Sequence, residues 1–401
     1  MDLISKIKKN DLCLGCGLCE AIDASSCKMK LTEDGFYRPQ ISSLSNATMS
    51  IVKNVCPGIT VHASNSSSHD SMWGNILKVS NAWSAESDVR RASSSGGVTS
   101  ALAIYLLETG NVDGVLHVGV EENSYLYNKL FVSRTREDVL QRNSSRYAPA
   151  AVFNEIFHIL DSSGNDTFAF IGKPCDIAAM QNLVHAYPKY ANRISFYLSI
   201  FCAGMPSYGA TKKALATFGK NEEPVSLRYR GDGWPGFFTA TYGDGSECKM
   251  TYNDSWGKIL GRQLGLRCKI CPDGIGMLAD IALGDSWNTK DGYPDFTEGD
   301  GRNFCFVRTQ KGKVLFDGAV KAGYIVEEKL DVNEVKTMQA YQYERRHMVG
   351  WRIAAVQIMT RGLLRYDNLG YAHMAMQVRL MKGLREMAGT MKRFLKLRKN
   401  R

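Results

Sequence analysis

The stretch 10-NDLCLGCGLCEAIDASSC-27 places Cys13, Cys16 and Cys19 at intervals of three residues. This triplet is typical of a 4Fe-4S cluster, whose irons are bound by soft thiolate ligands. In two-cluster ferredoxins, a fourth Cys follows after three more residues and serves the other cluster. Asp23 occupies that position here. The segment therefore predicts a single cluster whose last ligand lies elsewhere in the chain.

That last ligand is predicted to be Cys56, which precedes Pro57 in 54-NVCPG-58. No second C-x2-C-x2-C triplet lies nearby, so one cluster is expected. Cys27 is an alternative fourth ligand. Two other interpretations of the whole set stay open. One is a structural zinc site, for which a compact triplet is awkward, and the other is a group of buried Cys without a ligand role.

Four more cysteines lie at the ends of predicted elements in the middle of the chain. Cys175 and Cys202 each follow a strand-like run, and Cys268 and Cys271 form a C-x2-C pair. Two intervening residues allow both sulfurs of such a pair to converge on one centre. The four residues could thus bind a second cluster. From spacing alone, the alternative that Cys175 and Cys202 are small core residues stays open.

The composition indicates a globular chain, with 401 residues, 44% hydrophobic and 22% charged. No apolar run is long enough for a membrane span, and the first residues lack the apolar region of a secretory signal. We therefore expect a cytoplasmic protein, in which eleven Cys indicate metal or redox chemistry rather than disulfides. The net charge of +10 is concentrated near the end, where residues 379–401 contain nine Lys/Arg and one acidic residue.

The pattern along the chain predicts an α/β (α+β) body between two smaller segments. Strand-like runs at 113–120, 167–172 and 194–201 alternate with helix-like segments at 98–110 and 175–187. Residues 225–245 indicate an inserted β-hairpin or meander. The predicted divisions are a ferredoxin-like 4Fe-4S module at 1–62, a linker at 63–78, an oxidoreductase domain at 79–333 and a helical basic tail at 334–401.

The order of motifs resembles the coenzyme F-420 hydrogenase/dehydrogenase beta-subunit family of iron–sulfur flavoproteins. The resemblance runs from about Cys13 to Leu330. The seven motifs that carry it are the N-terminal Cys triplet, 34-DGFYRP-39 with 55-VCPG-58, 94-SSGGVTSALAIYLL-107, 144-SSRYAPA-150, 172-GKPCDIAAM-180, 201-FCAGMPS-207 and 268-CKICPDGIGMLADIALGDSW-287.

The resemblance implies FAD and a second 4Fe-4S cluster on Cys175, Cys202, Cys268 and Cys271. It also implies flavin contacts in two segments, for which we name Ser94, Ser95, Gly96, Gly97, Ser145, Arg146 and Tyr147. Serines and glycines before an apolar helix present backbone N–H groups to a phosphate, although an ordinary Ser N-cap has the same pattern. The family's Gly-Ser-Lys-Tyr reads Ser144 to Tyr147 here, with Arg146 replacing the usual Lys.

The resemblance implies an oxidoreductase that passes electrons between 4Fe-4S clusters and FAD and exchanges hydride with coenzyme F-420 or an organic substrate. A ferredoxin or a deazaflavin would be its electron carrier, and relatives in polysaccharide gene clusters suggest a glycan-related substrate. A non-catalytic electron-transfer subunit is the alternative. The basic tail could contact an anionic membrane surface at the inner face, dock an acidic partner, or be a solvated helix; no module for nucleic acid is recognisable.

Overall fold

The computed structural model describes residues 2–64 and 72–399. The predicted linker at 63–78 therefore lies partly outside the described residues. The segment before it combines short helices with one antiparallel hairpin, in which Cys27 is opposite Ile41. Its elements are α1 (Leu3–Lys9), α2 (Leu18–Ile22), β1 (Cys27–Leu31), β2 (Tyr37–Ile41), α3 (Asn46–Val55) and β3 (Thr60–His62).

The body is built on one large mixed sheet with smaller sheets attached, which confirms the α/β prediction. The predicted meander forms an antiparallel sheet of β9, β10 and β11. The strands are β4 (Lys78–Ser84), β5 (Gly114–Val120), β6 (Asn128–Ser133), β7 (Phe168–Gly172), β8 (Ile194–Ile200), β9 (Ser226–Arg228), β10 (Phe238–Thr241), β11 (Glu247–Met250), β12 (Ile281–Asp285), β13 (Asn288–Lys290), β14 (Tyr293–Asp295), β15 (Asn303–Val307) and β16 (Ile325–Lys329).

Within the described residues, the large sheet has eight strands in the order β16-β4-β15-β12-β8-β7-β5-β6. The central strands β12, β8, β7 and β5 are parallel to one another. β15, β4, β16 and β6 extend the sheet with antiparallel pairs. The carboxyl ends of the central strands therefore share one edge, where ligands of open α/β sheets usually bind.

Helices cover both faces of this sheet, which explains why its central strands are almost continuously apolar. One face packs on α5 and α11, with Leu102 and Phe316 in the core. The other packs on α8 and its neighbours, with Phe170 and Met180 buried. The helices of the body are α4 (Ser87–Ala92), α5 (Val98–Glu108), α6 (Arg136–Gln141), α7 (Ile156–Ser162), α8 (Pro174–Ala186), α9 (Tyr208–Ala216), α10 (Leu266–Lys269) and α11 (Gln310–Lys321). A π-helical turn at Asn253–Ile259 and 3-10 turns at Pro188–Tyr190 and Leu260–Arg262 complete it.

The last segment is mainly helical and also supplies a strand. Its elements are α12 (Val335–Met338), α13 (Ala340–Thr360), β17 (Arg365–Asp367), α14 (Tyr371–Met376) and α15 (Leu380–Lys399). β17 pairs in parallel with β3. α15 lies on α13, where Gly383 faces the ring of Trp351 so closely that a larger residue would collide with it. Phe394 is fully buried in the same contact.

The basic tail is therefore packed onto the rest of the protein. One apolar core contains Leu12 from the first segment, Phe304 from the sheet, and Val349 and Phe394 from the last segment. Arg398 also donates hydrogen bonds of 3.1 and 2.7 Å to the side chain of Asn10. The core thus crosses the predicted divisions at 62, 78 and 333. That each segment is a separate domain stays a prediction.

Candidate functional site: two thiol-lined cavities

The first cavity lies in the N-terminal segment and is lined by Cys13, Cys16, Cys19 and Cys56. It encloses about 420 Å³ of atom-free space. Cys19 belongs to α2, and Cys56 caps the end of α3. Four cysteines that the sequence predicted as one ligand set are thus brought together. Cys27, the alternative ligand, is not among the residues that line this cavity.

Glycines between the cysteines set the course of the chain around this cavity. Gly15 and Gly17 have φ angles of +70° and +90°, which are unfavourable for residues with a Cβ atom. A Cβ on Gly15 would lie 2.7 Å from the carbonyl oxygen of Tyr37, and one on Gly17 would lie 2.8 Å from the backbone nitrogen of Asn154. The C-x-G-C-G spacing is therefore a requirement of the fold. The other walls are apolar and include Ile7.

The second cavity is lined by Cys175, Cys202, Cys268 and Cys271 and encloses about 480 Å³. Cys175 lies in the first turn of α8, directly after β7. Cys202 follows β8 by two residues, while the other two cysteines belong to α10 and the turn after it. All four thus meet at the carboxyl edge of the parallel strands. The structure assembles this predicted set as well, from segments almost 100 residues apart.

Charged side chains also line the second cavity, and of these sequence reasoning singled out only Asp273, as a residue that could hold the loop of the second set or cap a helix. They are Lys173, Asp176, Arg267, Asp273 and Arg345. Lys173 forms a salt bridge of 2.5 Å with Asp176. Asp273 accepts hydrogen bonds from the backbone of Ile275 and Met277, so it holds the loop after Cys271 in place. Arg345 donates to the carbonyl oxygen of Cys202 at 3.1 Å.

The two cavities are neighbours, because Leu14 and Cys16 line both. Arg267 also connects them. It lines the second cavity, yet its Nε and Nη2 donate to the carbonyl oxygens of Gly58 and Pro57, at 3.0 and 2.7 Å, just after Cys56. A buried guanidinium group, 2% exposed, therefore lies between the two sets of thiols.

Burial changes the acidity of these thiols. It raises the pKa of Cys56 and of Cys202 to about 12. Burial likewise raises the pKa of Cys13, Cys16, Cys175 and Cys268, while a hydrogen bond with Cys27 and burial raise that of Cys19. Metal ligation requires thiolates, so loading either cavity with iron must release protons.

The residues present fit an anionic iron–sulfur cluster at the second cavity. Nη1 of Arg267 is buried without a hydrogen bond of normal geometry, and the charge and hydrogen-bonding capacity of the nearby Cys271 thiol raise the pKa of Arg267. A buried charged donor without a partner is costly, and a cluster bound by four thiolates would supply the missing negative charge. Across residues 2–64 and 72–399, no group of three or more His, Cys, Asp or Glu side chains is placed to hold one metal ion.

The two segments predicted to contact a flavin are in direct contact. Ser94 Oγ accepts a hydrogen bond of 2.6 Å from the backbone N–H of Ser145 and donates one of 3.3 Å to Ser144 Oγ. Ser144 has a φ angle of +97°, in the region where the family's glycine would be unstrained. The structure thus brings both loops to the start of α5.

The turn before α5 is packed tightly against the sheet. A Cβ on Gly96 would lie 2.8 Å from the carbonyl oxygen of Ala82, and Gly97 starts the helix with a φ angle of +77°. Ser95 Oγ donates to the carbonyl oxygen of Arg302 at 2.9 Å, and Asn303 Oδ1 accepts from Val98 N at 3.3 Å. One N–H group of the first helical turn is therefore already bound within the chain.

Arg146 is committed to contacts within the chain. Its guanidinium donates to the Asn128 side chain and to backbone oxygens of Leu227, Tyr125 and Leu126, at 2.7 to 3.3 Å. It holds the meander against the strand β6. Tyr147 differs, since its ring is half-buried and packs on the ring of Trp256 at a centroid distance of 4.8 Å.

An aromatic cluster that sequence reasoning did not assemble lies at the end of β12. The rings of Trp234 and Trp287 stack 4.5 Å apart, and Tyr252 lies 5.6 Å from Trp287. Below them, Arg230 forms a bidentate pair with Asp285 at 2.9 and 3.0 Å. The Gly/Pro-rich turn 230–238 was the available signal, because it contains Arg230 and Trp234.

The protein is thus a mixed α/β protein with two neighbouring cysteine-lined cavities. This combination is typical of iron–sulfur redox proteins. Comparison with family models identifies the family. Residues 79–156 and 165–333 match the N-terminal and C-terminal models of the coenzyme F420 hydrogenase/dehydrogenase beta subunit. The chain belongs to this family, as its motif order suggested.

Curated relatives match about two thirds of the chain. The coenzyme F420 hydrogenase subunit beta of Methanosarcina barkeri is 24% identical over 283 residues, covering 67% of this chain and 86% of the relative. The subunit from Methanococcus voltae is 25% identical over 264 residues, covering 65% and 86%. The coenzyme F420-dependent sulfite reductase of Methanocaldococcus jannaschii is 23% identical over 276 residues, covering 65% and 39%.

A solved chain from the F420-reducing [NiFe] hydrogenase complex of Methanosarcina barkeri has the same fold. It aligns with a TM-score of 0.55 at 20% identity and covers 74% of this chain and 97% of its own length. Among the residues that the structure describes, there is no helix both long enough and apolar enough to cross a membrane.

Proposed function

We propose that this protein is an iron–sulfur flavoprotein oxidoreductase that carries two 4Fe-4S clusters and FAD. The observation that carries the proposal is the pair of neighbouring cavities, the first lined by four cysteines and the second by four others together with the shared Cys16. One set of four thiolates matches the ligand requirement of one 4Fe-4S cluster. Membership of the family adds the flavin to this proposal.

The ligands of the first cluster would be Cys13, Cys16, Cys19 and Cys56, and those of the second would be Cys175, Cys202, Cys268 and Cys271. When bound, the clusters supply one-electron transfer and FAD supplies hydride exchange. The chain's own residues would place these groups side by side, held by half-buried cysteines. Lys173, Arg267 and Arg345 contribute positive charge beside the second set.

For the flavin, we propose contacts from Ser94, Ser95, Gly96, Gly97, Ser145 and Tyr147. The glycines let this turn pack closely against the sheet, and backbone N–H groups at the start of α5 suit a pyrophosphate. Arg146, predicted as a direct contact, supports the proposal differently. Its side chain already binds four oxygens, so it would fix the position of Ser145 and Tyr147 rather than bind phosphate.

We propose coenzyme F420, or another organic hydride acceptor, as the substrate. Relatives are named as F420-dependent hydrogenase, formate dehydrogenase and sulfite reductase proteins. The stacked rings of Trp234 and Trp287, with Tyr252 beside them, offer flat surfaces suited to a planar ring system. A cytoplasmic location belongs to the proposal, because all eleven Cys are free thiols.

A second candidate function is a non-catalytic electron-transfer subunit of a larger redox complex. The observation in its favour is that several relatives are named as beta subunits. The two candidates differ in one measurable property. Only the first turns over coenzyme F420 or another small molecule when the purified chain is supplied with an artificial electron donor.

The decisive experiment is anaerobic purification followed by counts of iron, acid-labile sulfide and flavin. About eight irons, eight sulfides and one FAD per chain are expected. About four irons would contradict one of the two ligand sets. Zinc without flavin would overturn the oxidoreductase proposal and leave a metal-binding protein.

A further inference from the structure

A basic cleft opens between α15 and the loop that leads into α10. It encloses about 820 Å³ of open, atom-free space. Lys269 lines one side, and Lys392, Arg393 and Lys396 line the other. Gly389 forms part of the wall of α15, and a Cβ atom there would meet nothing within 4 Å. The cleft is thus accessible, and four of its nine lining residues are cations, beside three leucines.

The positive charge of this cleft is not balanced by the chain. None of its four cationic side chains forms a salt bridge within residues 2–64 and 72–399. The one carboxylate in the wall, Asp11, is 4% exposed and is paired with Arg38 at 3.0 Å. Concentrated charge of one sign in a concave surface attracts and orients an oppositely charged partner.

The wall of the cleft includes residues from the loops that carry both thiol sets. Asp11 lies two residues before Cys13, and its carboxylate accepts from the backbone N–H of Leu266 at 2.7 Å. Lys269 lies between Cys268 and Cys271 in the sequence. A protein seated in this cleft would therefore be separated from the thiols by little more than one loop.

We propose that this cleft docks the acidic surface of a small protein electron carrier. The inference rests on the proposed function and names the partner of its clusters. In each encounter, one electron leaves the reduced carrier and reduces an oxidised cluster of this protein by one electron; no bond is made and no proton is transferred. Charge complementarity of this kind increases the association rate and selects the partner.

A lipid surface is less well suited to this cleft. Interfacial helices bury exposed apolar side chains beside their cations. In α15 three of the four exposed apolar side chains, Leu380, Met381 and Leu384, lie at its beginning, and one, Leu395, lies among the cations of its last turns. The cleft is also concave, which suits a protruding protein surface better than a flat one.

The test compares binding of an acidic plant-type ferredoxin to the holoprotein and to two charge-reversal variants. The first variant combines Lys392→Glu, Arg393→Glu and Lys396→Glu. The matched control, with the same change in net charge on exposed positions, combines Lys212→Glu, Lys213→Glu and Lys321→Glu. Dissociation constants are measured by calorimetry at low and high salt, alongside the rate of reduction by methyl viologen.

We expect the cleft variant to bind the ferredoxin at least about tenfold more weakly, with a smaller salt dependence, while viologen reduction stays unchanged. The control should stay within about twofold of the wild type. Equal losses in both variants, no loss in the cleft variant, or no binding by the wild type would overturn the docking proposal.

Vesicles of phosphatidylcholine with phosphatidylglycerol provide a second arm of the test. If the cleft variant lost only vesicle binding and kept its affinity for the ferredoxin, the cleft would be a lipid contact and the docking proposal would be wrong. The absorbance of the clusters and flavin, recorded in every sample, distinguishes failure of the proposed function from failure of the docking site. A chain without clusters defeats the proposed function, whereas intact clusters with unaltered ferredoxin affinity defeat the docking site alone.

Discussion

The two thiol-lined cavities share Cys16 as a wall residue, yet the remaining walls differ in charge. The described residues that line the first cavity are apolar residues such as Ile7 and Val52, glycines and cysteines, and Arg267 reaches its wall only through backbone oxygens. The second is lined by three cations and two carboxylates. Charged side chains thus form part of the lining of the second cavity but not of the first.

This difference has a consequence for electron flow. A net positive charge beside an iron–sulfur cluster stabilises the form with one more electron, which raises the reduction potential. A second cluster beside Lys173, Arg267 and Arg345 would therefore have a higher potential than one in the apolar first cavity. Electrons entering at the first cavity would pass downhill to the second and on to the flavin.

The largest expected effect is on iron content, and it tests whether the two cavities are separate sites. Replacing Cys175 and Cys202 together by Ala should remove about four irons and leave the first cluster intact, because the second set would keep only two ligands. The same double change at Cys13 and Cys56 should remove the other four. Cys248→Ala is the matched control and should keep the full count. Loss of all iron from either double variant would mean that the sites assemble together.

Next in size is the effect of adding one methyl group to the chain around the first cavity. Gly17→Ala should lower the free energy of unfolding by about 3 kcal/mol, through strain at positive φ and collision with the backbone of Asn154. Gly110 provides the control, since its φ is +67° and a Cβ there would meet nothing within 4 Å. Gly110→Ala should cost only about 1 kcal/mol. Equal costs in urea unfolding would show that the contact with Asn154 is loose.

The charge difference itself can be tested at Arg267. Arg267→Met should lower the reduction potential of the second cluster by on the order of 100 mV, because one buried positive charge is removed. Arg267→Lys keeps the charge and should recover most of that shift. Redox titration followed by electron paramagnetic resonance measures both. Because Arg267 also donates to the backbone just after Cys56, the potentials of both clusters are measured. A fall that is no larger at the second cluster than at the first would refute the electrostatic contrast between the cavities.

The smallest expected effect is on the pH dependence of stability, which should be the same for the two cavities. The pKa values of Cys56 and Cys202 are raised by burial from 9.0 to about 12, so each thiol stabilises the cluster-free fold below pH 9 and this stability is lost as pH rises towards 12. Between pH 8 and 10 each should account for about 1.4 kcal/mol of the loss. Cys56→Ser and Cys202→Ser should each reduce the loss by that amount in chemical unfolding. A reduction in only one would show that one cavity admits water.

The sequence predicted the first cysteine set better than its surroundings. Cys13, Cys16 and Cys19 are close in the chain, so their spacing alone indicates a shared centre. The strands β5, β7 and β8 were also predicted, because each is a short apolar run between turn residues. The ligand assignments themselves stay predictions until iron is counted.

Other features depend on contacts between distant segments, which leave no local pattern. Arg267 meets Pro57 and Gly58 about 210 residues away, and Arg345 reaches Cys202 across 143 residues. The pairing of β17 with β3 could not be predicted either, because three residues within a helical segment carry no clear strand signal. The hydrogen bonds from Arg146 to backbone oxygens could not be predicted either, because their acceptors lie in other segments of the chain.

The pairing of β3 with β17, together with the hydrogen bonds between Asn10 and Arg398, also has a consequence for biosynthesis. A ribosome releases residues 2–62 early, but the strand and helix that support them emerge more than 300 residues later. The first cysteines therefore lack part of their supporting structure until these later segments have been synthesised. We expect iron to be inserted there only after α15 has emerged and docked.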